Sequence, residues 1–110
     1  MNPLLKNYMG DVEHPEVSGI EHLQMLRTRS NLAEIESTLD AEERKILAEA
    51  DRKLVTRAAE FVAELSRFVD LAEQRRRLQP GANQWWWYLD VLAQAPIPLP
   101  RSLQPESVPA

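Results

Sequence analysis

The sequence contains no cysteine in its 110 residues. Disulfide frameworks, thiolate metal sites and cysteine nucleophiles are therefore excluded. No apolar run approaches the roughly 18 residues of a membrane-spanning helix, and the first ten residues lack the layout of a signal peptide. We therefore expect a soluble, cytoplasmic protein without a membrane span.

Glycine is scarce and positive charge is in deficit, with three glycines and a formal net charge of −4. The acidic balance argues against nucleic acid or an anionic membrane as the default partner, because both favour a basic surface. The sequence also lacks the G-x-S-x-G elbow and the Gly-rich phosphate loop. We therefore expect no enzymatic activity and no cofactor.

Residues 41–78 carry the strongest helical pattern in the chain. Asp40 and Glu43 have the spacing of a capping box at the start, and Pro80-Gly81 ends the pattern. One set of apolar side chains recurs in steps of three and four within an arc of about 80°: Leu47, Ala50, Leu54, Ala58, Phe61, Leu65, Phe68 and Ala72. The pattern predicts one long central helix of about 57 Å.

One shorter helix is predicted before the central helix in the sequence, and another is predicted after it. Ser18 and Glu21 form a capping-box pair that opens a helix over residues 19–36, and Pro96 ends a helix over residues 84–94. The short connectors predict an all-α bundle in which each shorter helix packs antiparallel on one half of the central helix. We assign residues 1–95 to this single domain, and we expect the proline-rich residues 96–110 to form an extended, disordered tail.

A second apolar row lies beside the first on the central helix. Val55, Ala59, Val62 and Val69 widen the apolar arc to about half of the helix surface over residues 54–69. Two short helices cover little of such an arc, and small domains are only marginally stable. The row therefore predicts a homodimer whose interface contains these four residues.

The most unusual feature is the aromatic run Trp85-Trp86-Trp87-Tyr88. Successive side chains of an α-helix point about 100° apart, so three neighbouring rings cannot all face one core. Trp87 falls on the same arc as Asp90, and we expect it to be partly exposed. Because Trp and Tyr are common in interface hot spots, Trp86, Trp87 and Tyr88 are predicted to bind a protein partner. The competing interpretation places the rings in the core or in the dimer contact.

The run favours a non-catalytic interaction protein of the regulatory or adaptor kind, and two alternatives stay open. Arg75-Arg76-Arg77 is also compatible with a nucleic-acid-binding regulator, although cations at a helix end commonly complement the helix dipole. A small helical enzyme or metal-binding bundle is the other alternative. Its support is weak because Glu13-His14 and Glu21-His22 lack the fixed spacing of a metal motif, and we expect no metal site.

Asp51 differs from the other acidic residues of the central helix. It lies next to the apolar arc, between Leu47 and Val55, whereas the neighbouring Arg52 points elsewhere. A buried carboxylate needs a partner. We therefore expect Asp51 at the rim of an interface.

Overall fold

The computed structural model describes residues 1–81 and 83–94. Over these ranges the chain forms helices without strands, and the predicted all-α bundle is confirmed. The helices are α1 (Pro3–Asp11), α2 (Gly19–Ile35), α3 (Ala41–Thr56), α4 (Ala58–Leu65), α5 (Leu71–Leu78) and α6 (Leu89–Gln94), with 3-10 turns at Glu36–Thr38 and Trp85–Tyr88. None of the described helices has both the length and the hydropathy needed to cross a membrane. The predicted tail, residues 96–110, lies outside the described residues.

The two predicted capping pairs begin α2 and α3. The Ser18 hydroxyl oxygen accepts a hydrogen bond from the Glu21 backbone N–H. The Asp40 carboxylate accepts from the Glu43 N–H at 2.8 Å, and the Glu43 carboxylate accepts from the Asp40 N–H at 3.2 Å. Each bond satisfies a backbone donor that a helix or its cap would otherwise leave unpaired.

α2 runs antiparallel to α3 and α4, as the sequence predicted. The start of α2 lies against the end of α4, where a Cβ atom on Gly19 would come within 2.9 Å of the Leu65 Cα. Farther along α2, Arg29 contacts Asp51 of α3. Later residues of α2 thus contact earlier residues of the α3–α4 segment. The close approach at Gly19 is possible because glycine has no side chain.

The prediction of one helix over residues 41–78 is wrong. The first interruption lies at Arg57, whose φ of −106° and ψ of 22° depart from helical values. The hydroxyl of the preceding Thr56 donates to the Arg52 carbonyl oxygen at 2.7 Å, and such back-bonding bends helices. The described part of the molecule has a greatest extent of 36 Å, so a straight helix of about 57 Å would not fit it.

The second interruption covers residues 66–70 and has its own cap. The Asp70 carboxylate accepts hydrogen bonds from the backbone N–H groups of Ala72 and Glu73. An aspartate in this position starts a helix, so α5 begins after it in a new direction. Phe68, predicted in the apolar seam, lies in the turn before this cap and is 60% exposed; its predicted core position is wrong.

The core receives side chains from all six helices and from the aromatic turn. α4 packs against both α2 and α6, while α1 covers α2 and α3. The buried side chains include Leu5, Tyr8, Leu26, Leu32, Leu54, Phe61, Leu65, Leu71, Trp86 and Leu89. The short helices α5 and α6 therefore belong to the same core as the longer ones.

Candidate functional site

The aromatic run adopts a tighter turn than the predicted helix over residues 84–94. Residues Trp85–Tyr88 form a 3-10 turn, and α6 begins at Leu89. The Trp87 N–H donates to the Gln84 carbonyl oxygen at 3.2 Å, which is the three-residue spacing of that turn. Side chains in a 3-10 turn point about 120° apart. The ring directions expected from an α-helical wheel therefore do not apply.

Trp86 and Trp87 are both buried by the chain itself, with 2% of each residue exposed. Both indole Nε1–H groups donate to the Ser30 hydroxyl oxygen at 2.9 Å, which can accept both because it has two lone pairs. The expected exposure of Trp87 is wrong. Trp85 and Tyr88 are half-buried. A role of Trp86, Trp87 and Tyr88 in partner binding stays a prediction. Binding through either tryptophan would require a partner to displace its contact with Ser30 of α2.

A second polar cluster lies in the core beside Trp86. Arg29 and Asp51 form a bidentate pair, with Nε–Oδ1 at 2.9 Å and Nη2–Oδ2 at 3.0 Å. The Tyr8 hydroxyl donates to Asp51 Oδ1 at 2.6 Å, and the Arg29 guanidinium lies 4.3 Å from the Trp86 ring centroid. The predicted position of Asp51 at an interface rim is wrong, since this carboxylate joins α1, α2 and α3 inside the core.

Burial controls the ionisation of this cluster. Desolvation raises the pKa of Asp51, although its hydrogen bonds from Arg29 and Tyr8 oppose the change. The pKa of Tyr8 is raised well above its usual value, mainly by desolvation and to a lesser extent by the nearby Asp51 charge. Perturbed groups can mark reactive sites. Here the three side chains bind one another, and the arrangement is suited to holding three helices together.

The arginines proposed to bind nucleic acid have carboxylate partners. Arg75 forms a bidentate pair with Asp90 of α6, with distances of 2.6 and 3.1 Å. Arg76 and Arg77 both contact Glu73 on their own helix. These acids reduce the positive potential at the end of α5. Binding of nucleic acid at Arg75–Arg77 stays a prediction.

The four residues predicted at the dimer interface do not form one continuous row. Val55 lies on α3, Ala59 and Val62 lie on α4, and Val69 lies in the turn after α4. Ala59 is exposed, whereas the three valines are half-buried. Val62 and Val69 pack against the core cluster and keep part of their surface at the exterior. The homodimer itself stays a prediction.

The turn after α4 instead brings together four exposed or half-buried apolar side chains, Val62, Phe68, Val69 and Val91, which we call the Phe68 face. Phe68 is 60% exposed and Val91 is 39% exposed. An open groove runs through this face and is lined by Val62, Ser66, Phe68, Val69, Asp70, Leu71, Asp90 and Gln94. Val91 lies one helical turn before Gln94 and is therefore its neighbour on the surface of α6. Sequence periodicity missed this face because it placed Phe68 inside.

A metal site was one of the alternatives that the sequence left open, and the described residues 1–81 and 83–94 can be searched for one. No group of three histidine, aspartate or glutamate side chains lies close enough there to hold a metal ion. Comparison with protein families, curated proteins and solved structures found no match to the chain.

Proposed function

We propose that the chain is a non-catalytic helical interaction protein, of the regulatory or adaptor kind, that forms a homodimer through the Phe68 face. The observation that carries the proposal is the 60% exposure of Phe68 beside the outer surfaces of Val62 and Val69. An exposed aromatic ring beside other partly exposed apolar side chains is a candidate interaction site. Aromatic side chains in particular contribute much of the energy of protein interfaces.

The exposed area of Phe68 determines how much free energy its burial can contribute to dimerisation. A side chain of roughly 200 Å² that is 60% exposed offers about 120 Å², and its burial contributes about 3 kcal/mol at 25 cal/mol/Å². A two-fold dimer buries the ring twice, which gives about 6 kcal/mol in total. A dissociation constant of 1 µM corresponds to about 8 kcal/mol. Association also costs at least about 4 kcal/mol in lost translational and rotational freedom, so Phe68 contributes strongly to such an interface but does not hold the dimer alone.

The charges around the ring favour a second copy as the ligand. Arg67 is highly exposed, and its contact with Glu64 is long, at 3.6 Å. Asp70, of opposite charge, follows Phe68 by two residues and lines the groove. In a two-fold interface each contact occurs twice, so Arg67 can lie opposite the partner's Asp70 in both halves. In such an arrangement the opposite charges of the two copies would attract each other.

Sedimentation equilibrium across the micromolar range tests the proposal. The wild type should dimerise, and Phe68→Glu should sediment as the 12.6 kDa monomer, because the interface would bury an unpaired carboxylate. Leu78→Glu is the matched control, since Leu78 is 51% exposed and lies at the end of α5 outside the groove. Circular dichroism checks that both variants fold. A monomeric wild type at several hundred micromolar, or equal effects of the two variants, would contradict the proposal.

A further inference from the structure

We propose that a groove between α2 and the end of α5 binds a short extended peptide segment of another protein, with an acidic side chain of that segment paired to Arg27. One wall of the groove is the face of α2 that carries Gln24, Arg27 and Asn31, and the other wall is formed by residues 78–80. This groove shares no lining residue with the groove at the Phe68 face. The inference therefore goes beyond the proposed homodimer and does not depend on it.

The charge of the groove favours an acidic ligand. Arg27 is exposed, and it forms no ion pair with a carboxylate among the described residues. No acidic side chain lines the groove, although the chain has a formal net charge of −4. The groove is thus positively charged in a protein that is acidic as a whole. A carboxylate beside Arg27 would form the planar, charge-assisted pair that a guanidinium group prefers.

The groove also contains polar groups that have no partner within the described part of the chain. Four side-chain amides line it, those of Gln24, Asn31, Gln79 and Gln84. None of these amides forms a hydrogen bond with another described residue, and the Ser30 hydroxyl, which accepts from two indoles, has no acceptor there for its own proton. Side-chain amides both donate and accept hydrogen bonds, as peptide groups do. The polar lining is therefore complementary to a peptide main chain.

The length of the α2 wall corresponds to a short extended segment. Gln24, Arg27 and Asn31 are spaced by three and four residues, so they lie on one face of α2. At a rise of 1.5 Å per residue, the first and the last are about 10.5 Å apart along the helix. An extended chain advances about 3.3 Å per residue. The wall is therefore as long as about three peptide residues.

The opposite wall presents an amide at a position where glycine would be less strained. Gln79 ends α5 with a φ of 48° and a ψ of 53°, and no other non-glycine residue among those described has a positive φ. Glycine adopts this left-handed conformation at the end of a helix without a steric penalty, whereas a side chain adds one. Such strained residues cluster at ligand-binding positions. The conformation of Gln79 is thus a second observation that points to a ligand in this groove.

A peptide suits the groove better than a nucleic acid does. Single-stranded nucleic acids bind on exposed aromatic rings, but Trp87, the aromatic side chain in the lining, is only 2% exposed. One arginine also neutralises few phosphates. Leu78, by contrast, is 51% exposed and offers an apolar contact to a neighbouring side chain of the bound segment.

Titration with a blocked tripeptide, followed by proton–nitrogen correlation spectra, tests the site. The probe is N-acetyl-Leu-Glu-Leu-amide, in which leucines flank the carboxylate so that either chain direction brings one of them to Leu78. The probe should shift the side-chain amide signals of Gln24 and Asn31 and the indole N–H signal of Trp87, with saturation in the millimolar range. N-acetyl-Leu-Gln-Leu-amide should bind about fivefold more weakly, because it lacks the charge that pairs with Arg27.

Two variants that lose the same charge separate the groove from general electrostatic attraction. Arg27→Gln should weaken binding of the acidic probe about fivefold, whereas Lys45→Gln should leave it unchanged, since Lys45 is exposed on α3 outside the groove. Circular dichroism checks that both variants fold. Gln79→Gly should be at least as stable to heat as the wild type and should nevertheless bind the probe more weakly. Damage to the fold would not produce that combination.

Several results would overturn the inference. These are the absence of saturable shifts at the groove, equal binding by Arg27→Gln and the wild type, and equal losses in Arg27→Gln and Lys45→Gln. Tighter binding of the dinucleotide thymidylyl-thymidine than of the acidic probe would assign the groove to nucleic acid instead.

Failure of this inference is distinguishable from failure of the proposed function. Phe68→Glu leaves the α2–α5 groove unchanged, so this variant should bind the acidic probe as tightly as the wild type does. A monomeric wild type that binds the probe would refute the homodimer alone. A dimeric wild type that does not bind the probe would refute the peptide groove alone.

Discussion

Ser30 holds two tryptophans with one oxygen atom, and Ser30→Ala should therefore be unusually costly for a serine. The substitution leaves the Nε1–H groups of Trp86 and Trp87 without their acceptor. A buried donor without a partner costs about 1–3 kcal/mol. Ser30 and Trp87 line an open groove, so water can reach one of the two donors. We expect the free energy of unfolding to fall by about 2–3 kcal/mol, near the lower end of the two-donor range.

Urea unfolding followed by circular dichroism measures this loss. The m value should stay constant, because the surface exposed on unfolding does not change. Ser37→Ala provides the control, since Ser37 is exposed in the 3-10 turn before α3; its effect should stay within about 0.5 kcal/mol.

A double-mutant cycle shows whether the indoles cause the loss. In a Trp86→Phe/Trp87→Phe background no indole donor remains, and Ser30→Ala should then cost less than about 0.5 kcal/mol. An equal cost in both backgrounds would refute the shared hydrogen bond as the explanation. A loss of unfolding free energy below about 0.5 kcal/mol in the wild-type background would show that the two indoles do not both donate to Ser30.

Three further substitutions test the core. Asp51→Ala removes the carboxylate from a buried guanidinium and should cost about 3–5 kcal/mol in urea; a loss below about 1 kcal/mol would contradict the buried pair. Gly19→Ala should destabilise by about 1–3 kcal/mol, because its Cβ would come within 2.9 Å of the Leu65 Cα; a more stable variant would disprove that close approach. Burial raises the pKa of Tyr8 in the folded state. The neutral Tyr8 hydroxyl therefore stabilises the fold fully below about pH 10, and this stabilisation is lost as the pH rises through the raised pKa. In Tyr88→Phe, where Tyr8 is the sole tyrosine, phenolate absorbance should appear together with alkaline unfolding rather than before it.

Local capping chemistry was the most predictable part of the fold. Ser18 with Glu21 and Asp40 with Glu43 correctly marked the starts of α2 and α3, because a cap depends only on residues within one turn. The same spacing recurs at Asp70-x-x-Glu73, and this signal would have divided the long helix before α5. Apolar periodicity obscured it, since the seam continues through residues 66–70 where the helix does not.

The buried ion pair had a sequence signal that periodicity alone does not use. Arg29 lies between Met25 and Leu32 at helical spacing, and all three are buried. Asp51 likewise interrupts an apolar face on the segment that packs antiparallel to α2. Opposite charges on two facing apolar stripes predict a pair, because an isolated buried charge would be too costly.

The positions of the aromatic side chains could not be obtained from a helical wheel. The wheel assumes 100° per residue, whereas Trp85–Tyr88 form a 3-10 turn. The acceptor for both buried indoles is Ser30, more than 50 residues away, and no local pattern identifies such a partner. The exposure of Phe68 has a similar origin, since it depends on where α4 ends.

The most direct test of the central claim is an isotope-filtered NOE experiment on a mixture of labelled and unlabelled protein. It detects only contacts between two copies of the chain. We expect cross-peaks between the Phe68 ring of one copy and the Val62 or Val69 methyl groups of the other, and their intensity should grow with protein concentration. Intermolecular cross-peaks that involve Leu78 or Tyr88 instead, or none from Phe68 at concentrations where the dimer is present, would contradict it.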